Sequence, residues 1–385
     1  MKILRLAAVA ATGALVGCAT VPISENTGPA LDAEGTHSMA ASQKAVLDHE
    51  ATAMLARHQV PGMAVAYLAD GEIQWTANYG EMAPGTPARA DTLYNVASVT
   101  KAVVAETFMQ LAMAGEIDLS AAMAPDYVDP DLADDPRAAD LTPNLALTHR
   151  TGFVENWRDE MAGGRLAIAA EPNTQTHYSG ENFDYLVHFA EARLAQPFPE
   201  IAARTVLERA GMNDTWFTPS PKWDGRVALV RGPEGTLDLP DASETPSGAS
   251  NLHTTIGDMA RFLRFAMHGD GLDAQMLARR ATIIDDQVEQ ACPPGIIPKN
   301  LCPAHTGYGL GWMVYDSGDN RFLLHNGKNT GGRAIVLFEP SKQYGVAVLT
   351  TGANGRSVIS EVLQILVPDE KLNALVAAEA RFDRP

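Results

Sequence analysis

Apolar positions recur with two different periods along this chain, and the changes of period divide it. From Met39 to His58 they return about every 3.6 residues, through Val46, Met54 and Leu55, which predicts a helix. Pro61-Gly62 ends it. The runs MAVAYLA and EIQWTANYG then flank Asp70-Gly71, a dipeptide suited to a tight turn, and predict a hairpin. From Ala97 to about Ser243 the pattern is mostly helical, with helices expected over Ala102–Ala114, Asn182–Ala195 and Pro199–Gly211. Asp126–Pro143 is acidic and proline-rich and reads as loop. A further helix is expected at Ile256–His268. Strand-like runs return in YGLGWMVYD, NRFLLHN, RAIVLFEP and YGVAVLTTG, and Gly355–Val367 reads as a closing helix. Strands at both ends with helices between them predict an α/β (α+β) architecture. Its antiparallel sheet is built from both termini and flanked by helices, with an all-helical subdomain inserted.

Composition adds bounds. The 385 residues are 46% hydrophobic and 20% charged, enough apolar material for a large core. A formal net charge of −18 argues against nucleic acid and anionic membrane surfaces as partners, since both demand basic patches. The first residues read as a leader: Lys2 and Arg5 precede an apolar run, Leu6–Val16, too short to span a bilayer. The run ends in Leu15-Val16-Gly17-Cys18, which resembles a bacterial lipobox with Cys18 as the acylated residue; a plain secretory signal is the other reading. The chain then divides into a lipoprotein-type signal peptide (1–17), a tether (18–38), a folded domain (39–370) and a C-terminal tail (371–385). Within the domain, 39–96 and 250–370 form the α/β part and 97–249 the mainly helical part. An exported chain meets an oxidising compartment, so Cys292 and Cys302 in ACPPGIIPKNLCP are expected to form a local disulfide rather than two free thiols. His305 has no second His or Cys at ligand spacing, and no metal site is expected.

The candidate chemistry begins in YNVASVTKAVVAE. Ser98 and Lys101 stand three residues apart, on one face of a helix start. A serine there lies at the positive end of the helix dipole, and an ammonium within reach can deprotonate it or hold the alkoxide. A capping serine followed by a solvated lysine explains the same four residues. None of the other seven lysines has a serine three positions before it.

The wider sequence changes the balance. VPGMAVAYLADGEIQW, DTLYNVASVTKAVVAETFMQLAMAGEIDLS, LALTHRTGF, HYSGENFDYL, ERAGMNDTWF, SGASNLHTTIGDMARF, YGLGWMV and LLHNGKNTGG follow in that order. Together they resemble the serine beta-lactamase-like hydrolases: class C beta-lactamases, family VIII esterases, DD-peptidases and D-aminopeptidases. The likeness runs from about Gln43 to Val367 and implies a beta-lactamase/transpeptidase-like fold. It implies Ser98 as nucleophile and Lys101 as its activator. The family's Tyr-x-Asn element falls on Tyr178-Ser179-Gly180, which keeps the tyrosine as a proton relay and replaces the asparagine by Gly180. Asn182 is the nearest residue that could stand in. The third element falls on His325-Asn326-Gly327. There the glycine lets substrate approach the strand, His325 is expected to donate, and the backbone N–H groups of Lys328 and Ser98 are expected to hold an oxyanion. Lys328 and Arg333 are two cations that could receive an anionic substrate group, or simply serve solubility. Trp157 is expected to line the cleft, His149 to bond within a loop below it, and Tyr308–Trp312 to form a closely packed strand.

The resemblance implies an exported serine hydrolase without cofactor, acting through an acyl-enzyme on a carboxylic ester or a D-amino-acid-type amide. A beta-lactamase or DD-carboxypeptidase is the alternative, and a non-catalytic envelope or peptidoglycan-binding member of the fold is an alternative of another class. The expected partners are a small-molecule ester, peptide or beta-lactam substrate and, through the lipid anchor alone, a membrane. The expected location is the periplasm, anchored to the outer membrane. Whether Lys101 or Tyr178 acts as the base in acylation stays open.

Overall fold

The computed structural model describes residues 33–153 and 164–383, with backbone only for 33–38. The leader, Cys18, most of the tether and Trp157 lie outside the described residues. Among the described residues no helix is long and apolar enough to cross a membrane.

An antiparallel sheet of eight strands organises the molecule. The N-terminal hairpin comprises β1 (Gly62–Ala69), β2 (Glu72–Ala83) and a short β3 (Thr86–Pro87). The C-terminal strands are β4 (His305–Tyr308), β5 (Met313–Asp316), β6 (Arg321–Lys328), β7 (Arg333–Glu339) and β8 (Tyr344–Thr350). Their order is β3-β2-β1-β8-β7-β6-β5-β4. The two chain halves meet where β1 pairs with β8, from Met63↔Thr350 to Leu68↔Gly345. The sheet is thus assembled from both termini, as the pattern predicts. Asp70 and Gly71 both take left-handed backbone angles, φ 51° and 76°, and turn the hairpin.

Every residue of β1 is buried, because both sheet faces are covered. Ala64, Ala66, Leu68, Val336, Ala347 and Leu349 pack on one side with α2 (Thr100–Met113) and α4 (Ile256–His268). Met63, Val65, Tyr67, Ile335, Leu337 and Val348 alternate with them. They pack on the other side against α1 (Ala33–His58), α5 (Gly355–Leu366) and α6 (Glu370–Phe382). Helix α2 is buried from Thr100 through Leu111, the mark of a central helix apolar on all sides. Its one buried acid, Glu106, meets Arg280 at 2.9 Å and the Trp312 indole N–H at 3.0 Å. The helical side also holds α3 (Glu181–Leu194).

Two expectations need correction. YGLGWMVYD forms two strands, not one, because Gly311 turns the chain at φ 71°. A Cβ on Gly311 would stand 2.2 Å from the Ala105 Cβ, so this turn sits directly on α2. The segment 371–385, expected as a tail, is mostly helix α6. Asp369 caps it by accepting from the Leu372 N–H, and Leu372, Leu375 and Val376 are buried at helical spacing. Cys292 and Cys302 are joined as a disulfide with Cα atoms 5.9 Å apart, beside α6.

Candidate active site

The chain enters α2 through one tight turn, Ala97–Val99. Ala97 carries φ 47°, a conformation costly for a residue with a side chain. Three bonds hold it there. The Ala97 N–H donates to Asn95 Oδ1 at 2.8 Å, Thr100 Oγ1 donates to Ala97 O at 2.6 Å, and the Leu252 N–H donates to Thr100 Oγ1 at 3.1 Å. The turn presents Ser98, partly exposed, at the mouth of the helix.

Lys101 is almost wholly buried beneath it. Its Nζ donates to Ser98 Oγ at 3.1 Å and to Ala249 O at 2.7 Å. The ammonium also lies 5.1 Å from the centre of the Tyr178 ring and 5.8 Å from that of Phe183. An ammonium in such a place is costly unless hydrogen-bonded and balanced by opposite charge. Asp184 supplies the balance from the next layer. It accepts from Ser247 Oγ at 2.8 Å and from the Ala249 N–H at 3.2 Å, so it holds the residue whose carbonyl takes Lys101. Burial raises the Asp184 carboxyl above its ordinary range, while the Ser247 hydrogen bond and the Lys101 charge pull it back.

Gly180 stands at the start of α3 and brings no side chain to Lys101; the Ala249 carbonyl fills that role. Asn182 does not replace it. Its Oδ1 accepts from Thr151 Oγ1 at 2.6 Å, and its Nδ2 faces His149 Nδ1 at 3.3 Å.

Tyr178 belongs to an aromatic cluster. Its ring centre lies 4.6 Å from His149, 5.9 Å from Tyr308 and 6.4 Å from His325. His149 is fully buried at φ 56° and its Nδ1 accepts from the Ser179 N–H at 3.3 Å. Burial, then the charge of Lys101, holds its ring well below the usual titration range. His325 is likewise pushed down, to about 3, by burial first and Lys101 second. The neutral His325 ring faces Asn326 O through Nδ1 at 2.8 Å. A carbonyl can only accept, so Nδ1 carries the proton and Nε2 is left as an acceptor. Where a donor is expected from the sequence, the fold presents a lone pair. Nε2 is buried with no partner among the described residues.

Gly327 is indispensable to the approach. A Cβ there would come 2.3 Å from Val96 O, so a side chain would push β6 off the turn that carries Ser98. Strand β5 pairs with β6 only from Arg321 to Leu324, leaving the far edge of His325–Lys328 facing the site. His325 and Gly327 point toward the helical side; Asn326 and Lys328 alternate to the other. Asn326 Oδ1 accepts from Arg356 Nη1 at 2.7 Å. The Lys328 ammonium pairs with Asp383, and the buried Arg333 Nε donates to the same carboxylate at 2.5 Å. The two cations expected to await a substrate anion are therefore already engaged.

The structure thus gathers Ser98, Lys101, Tyr178, His325 and Gly327 around one point, and turns the Asn326, Lys328 and Arg333 side chains away from it. Asp184 and the Ser247–Ala249 turn escaped the sequence reading. Their contribution passes through the backbone of Ala249, and only their positions in the HYSGENFDYL and SGAS blocks hinted at it.

A family model described as Beta-lactamase matches residues 47–366. The chain is 24% identical over 310 residues to the D-alanyl-D-alanine-carboxypeptidase/endopeptidase AmpH of Escherichia coli K12, covering 75% of this chain and 79% of that protein. It is 24% identical over 341 residues to penicillin-binding protein 4 of Amycolatopsis lactamdurans, covering 82% and 87%. Its fold is similar to that of an octameric penicillin-binding protein homologue from Pyrococcus abyssi, with a TM-score of 0.69 at 19% identity over 85% of this chain and 78% of that one.

Proposed function

The chain belongs to the beta-lactamase family, and on that premise we propose that it is an exported serine hydrolase that cleaves carboxylic esters through an acyl-enzyme on Ser98. The observation that carries this is the 3.1 Å contact between Ser98 Oγ and the buried Lys101 Nζ, with Tyr178 against the same ammonium. Ser98 Oγ attacks the substrate carbonyl as its proton passes to Lys101 in its uncharged amine form, or, where Lys101 is an ammonium, to a Tyr178 phenolate. The backbone N–H groups of Ser98 and Lys328 hold the oxyanion. Collapse of the tetrahedral adduct breaks the bond to the leaving alcohol, which takes the proton. Water then attacks the acyl-Ser98, Tyr178 as phenolate accepts its proton and passes it to Oγ, and the acid departs. His325 Nε2, an acceptor beside Tyr178, suits a hydroxyl or phenol O–H rather than a substrate anion.

A second reading, amide cleavage in D-amino-acid peptides, is favoured by the likeness to the D-alanyl-D-alanine-carboxypeptidase/endopeptidase of Escherichia coli. A fluorophosphonate probe should leave one adduct on Ser98, located by mass spectrometry, and none in Ser98→Ala. Full ester hydrolysis by Ser98→Ala would sink the mechanism. Turnover of a short-chain nitrophenyl ester, a D-Ala-D-Ala peptide and a chromogenic cephalosporin ranks the substrates. Cys18 is the proposed lipid anchor; Cys18→Ser should move the protein from the membrane to the soluble fraction.

A further inference from the structure

Helix α6 follows the last residue matched by the family model. It is tied to the catalytic strand by charge. Asp383, just beyond its end, takes both cations that follow Gly327: Lys328, and Arg333 at 2.5 Å and 3.4 Å through two nitrogens. One turn earlier, Glu379 lies 3.6 Å from Arg356, which donates to Asn326 at 2.7 Å. Arg333 is also held by Asn329 O at 2.7 Å and Gly332 O at 2.9 Å, so the cradle persists without Asp383. Burial works against the Asp383 carboxylate, but hydrogen bonds and charge from Arg333 and Lys328 outweigh it and keep its carboxyl below the ordinary range. Glu379 is felt as far as Tyr308, which stands against Tyr178.

Lys328 offers its backbone N–H to the proposed oxyanion and its ammonium to Asp383, so the cradle acts on a bound carboxylate by charge, across one lysine side chain, rather than by contact. We propose that Asp383 is a specificity determinant, an internal carboxylate that fills the Lys328–Arg333 cradle and biases the site toward uncharged substrates. This rests on the acyl-enzyme reading above and narrows its substrate class to esters without a carboxylate near the scissile bond. An anionic substrate meets a neutralised cradle and the charge of Asp383 itself, whereas a neutral ester does not sense the pair.

The test uses phenyl acetate and 3-carboxyphenyl acetate, which differ by one carboxylate. The parent enzyme should prefer the neutral ester. In Asp383→Asn, kcat/KM for the anionic ester should rise about tenfold, through KM, while the neutral ester changes less than about twofold. Asp383→Glu should behave as the parent. Glu208→Gln, an exposed charge removed elsewhere, should leave the ratio unchanged. A parent that prefers the anionic ester overturns the inference. So does a folded Asp383→Asn, checked by thermal melt, whose ratio is unmoved or whose two rates fall together, since Asp383 would then only brace the strand. No turnover of either ester and no fluorophosphonate adduct would sink the hydrolase reading, and this inference with it.

Discussion

Strand β6 separates two regions that treat polar groups in opposite ways. Toward α2, the site keeps its groups open. His149 Nε2 and His325 Nε2 are buried without partners among the described residues, and Lys101 contacts a hydroxyl and a carbonyl. On the α5 and α6 face of β6, the polar groups at the strand's end are paired: Asn326 with Arg356, Arg356 with Glu379, and Lys328 and Arg333 with Asp383. An unpaired buried polar atom costs about 1–3 kcal/mol, so the open side is maintained at the expense of stability. The closed side anchors the strand. Substitutions on the open side should therefore act on rate, and those on the closed side on stability or selectivity.

The largest effect should come from Lys101→Met, which keeps the length of the chain but removes the proton acceptor. We expect kcat/KM on a nitrophenyl ester to fall about a thousandfold, within the range for loss of general acid–base catalysis. A thermal melt checks that the variant stays folded, because the buried Asp184 loses the charge that balances it. A variant that kept a tenth of the parent activity would show that Lys101 only packs. Gly327→Ala comes next. Its methyl group would stand 2.3 Å from Val96 O, so strand and serine turn must separate. A displacement of that kind should lower kcat/KM about a hundredfold and slow fluorophosphonate labelling of Ser98 in step. Unchanged labelling would mean that the strand edge does not shape the site.

The two regions also differ in how far the sequence revealed them. On the open side, spacing puts Ser98 and Lys101 on one helix face, but a capping serine explains that as well; the ordered blocks and the resemblance they carry single out the pair and Gly327. The hairpin was equally legible, since Asp70-Gly71 carries its own turn chemistry. What could not be read are links through backbone groups or across long separations. Lys101 is completed by a carbonyl 148 residues away, and Arg333 by a carboxylate 50 residues on. Any residue type can offer a carbonyl, so composition leaves no trace of the first. For the second, the sequence offers Arg333 either to a substrate anion or to solvent and leaves Asp383 in an expected tail, and only α6 brings them together. Helix α6 was within reach of reading, with Asp369 as cap and Leu372, Leu375 and Val376 on one face. The split of β4 from β5 was not, because the contact of Gly311 with Ala105 is tertiary.

On the closed side, the disulfide offers a cleaner separation of stability from rate. Cys292 and Cys302 are ten residues apart in sequence, and removing a loop of that size should cost about 2–3 kcal/mol on the chain-entropy account. The Cys292→Ser/Cys302→Ser variant should melt earlier in urea, with kcat and KM for the neutral ester unchanged. A loss of kcat as large as that of Gly327→Ala would mean the two regions are mechanically coupled and the division fails.

The finest distinction is in pH. An unfolded histidine titrates near 6.5, whereas folded His325 is pushed down to about 3. Between those values the unfolded chain holds a proton that the native chain does not. Stability from this group is therefore fully present above about 6.5 and is lost as pH falls toward about 3, by up to about 1.4 kcal/mol per pH unit. His253, pushed down to about 4 by burial, and His149 act in the same direction. The carboxylates held below their ordinary range, Asp383 and Asp285, have unfolded values near 3.9, so they add their losses only below about pH 4. The raised carboxyls of Asp184, Glu106 and Glu379 oppose this decline, so urea unfolding at pH 7, 6, 5 and 4.5 is read as the difference between the parent and a histidine variant. His325→Gln should flatten the decline by about 1 kcal/mol per pH unit over that interval and leave stability at pH 7 and above with the same flat dependence as the parent. A parallel decline in parent and variant would mean that the ring takes up its proton in the native site, and that the open side is not held neutral at His325.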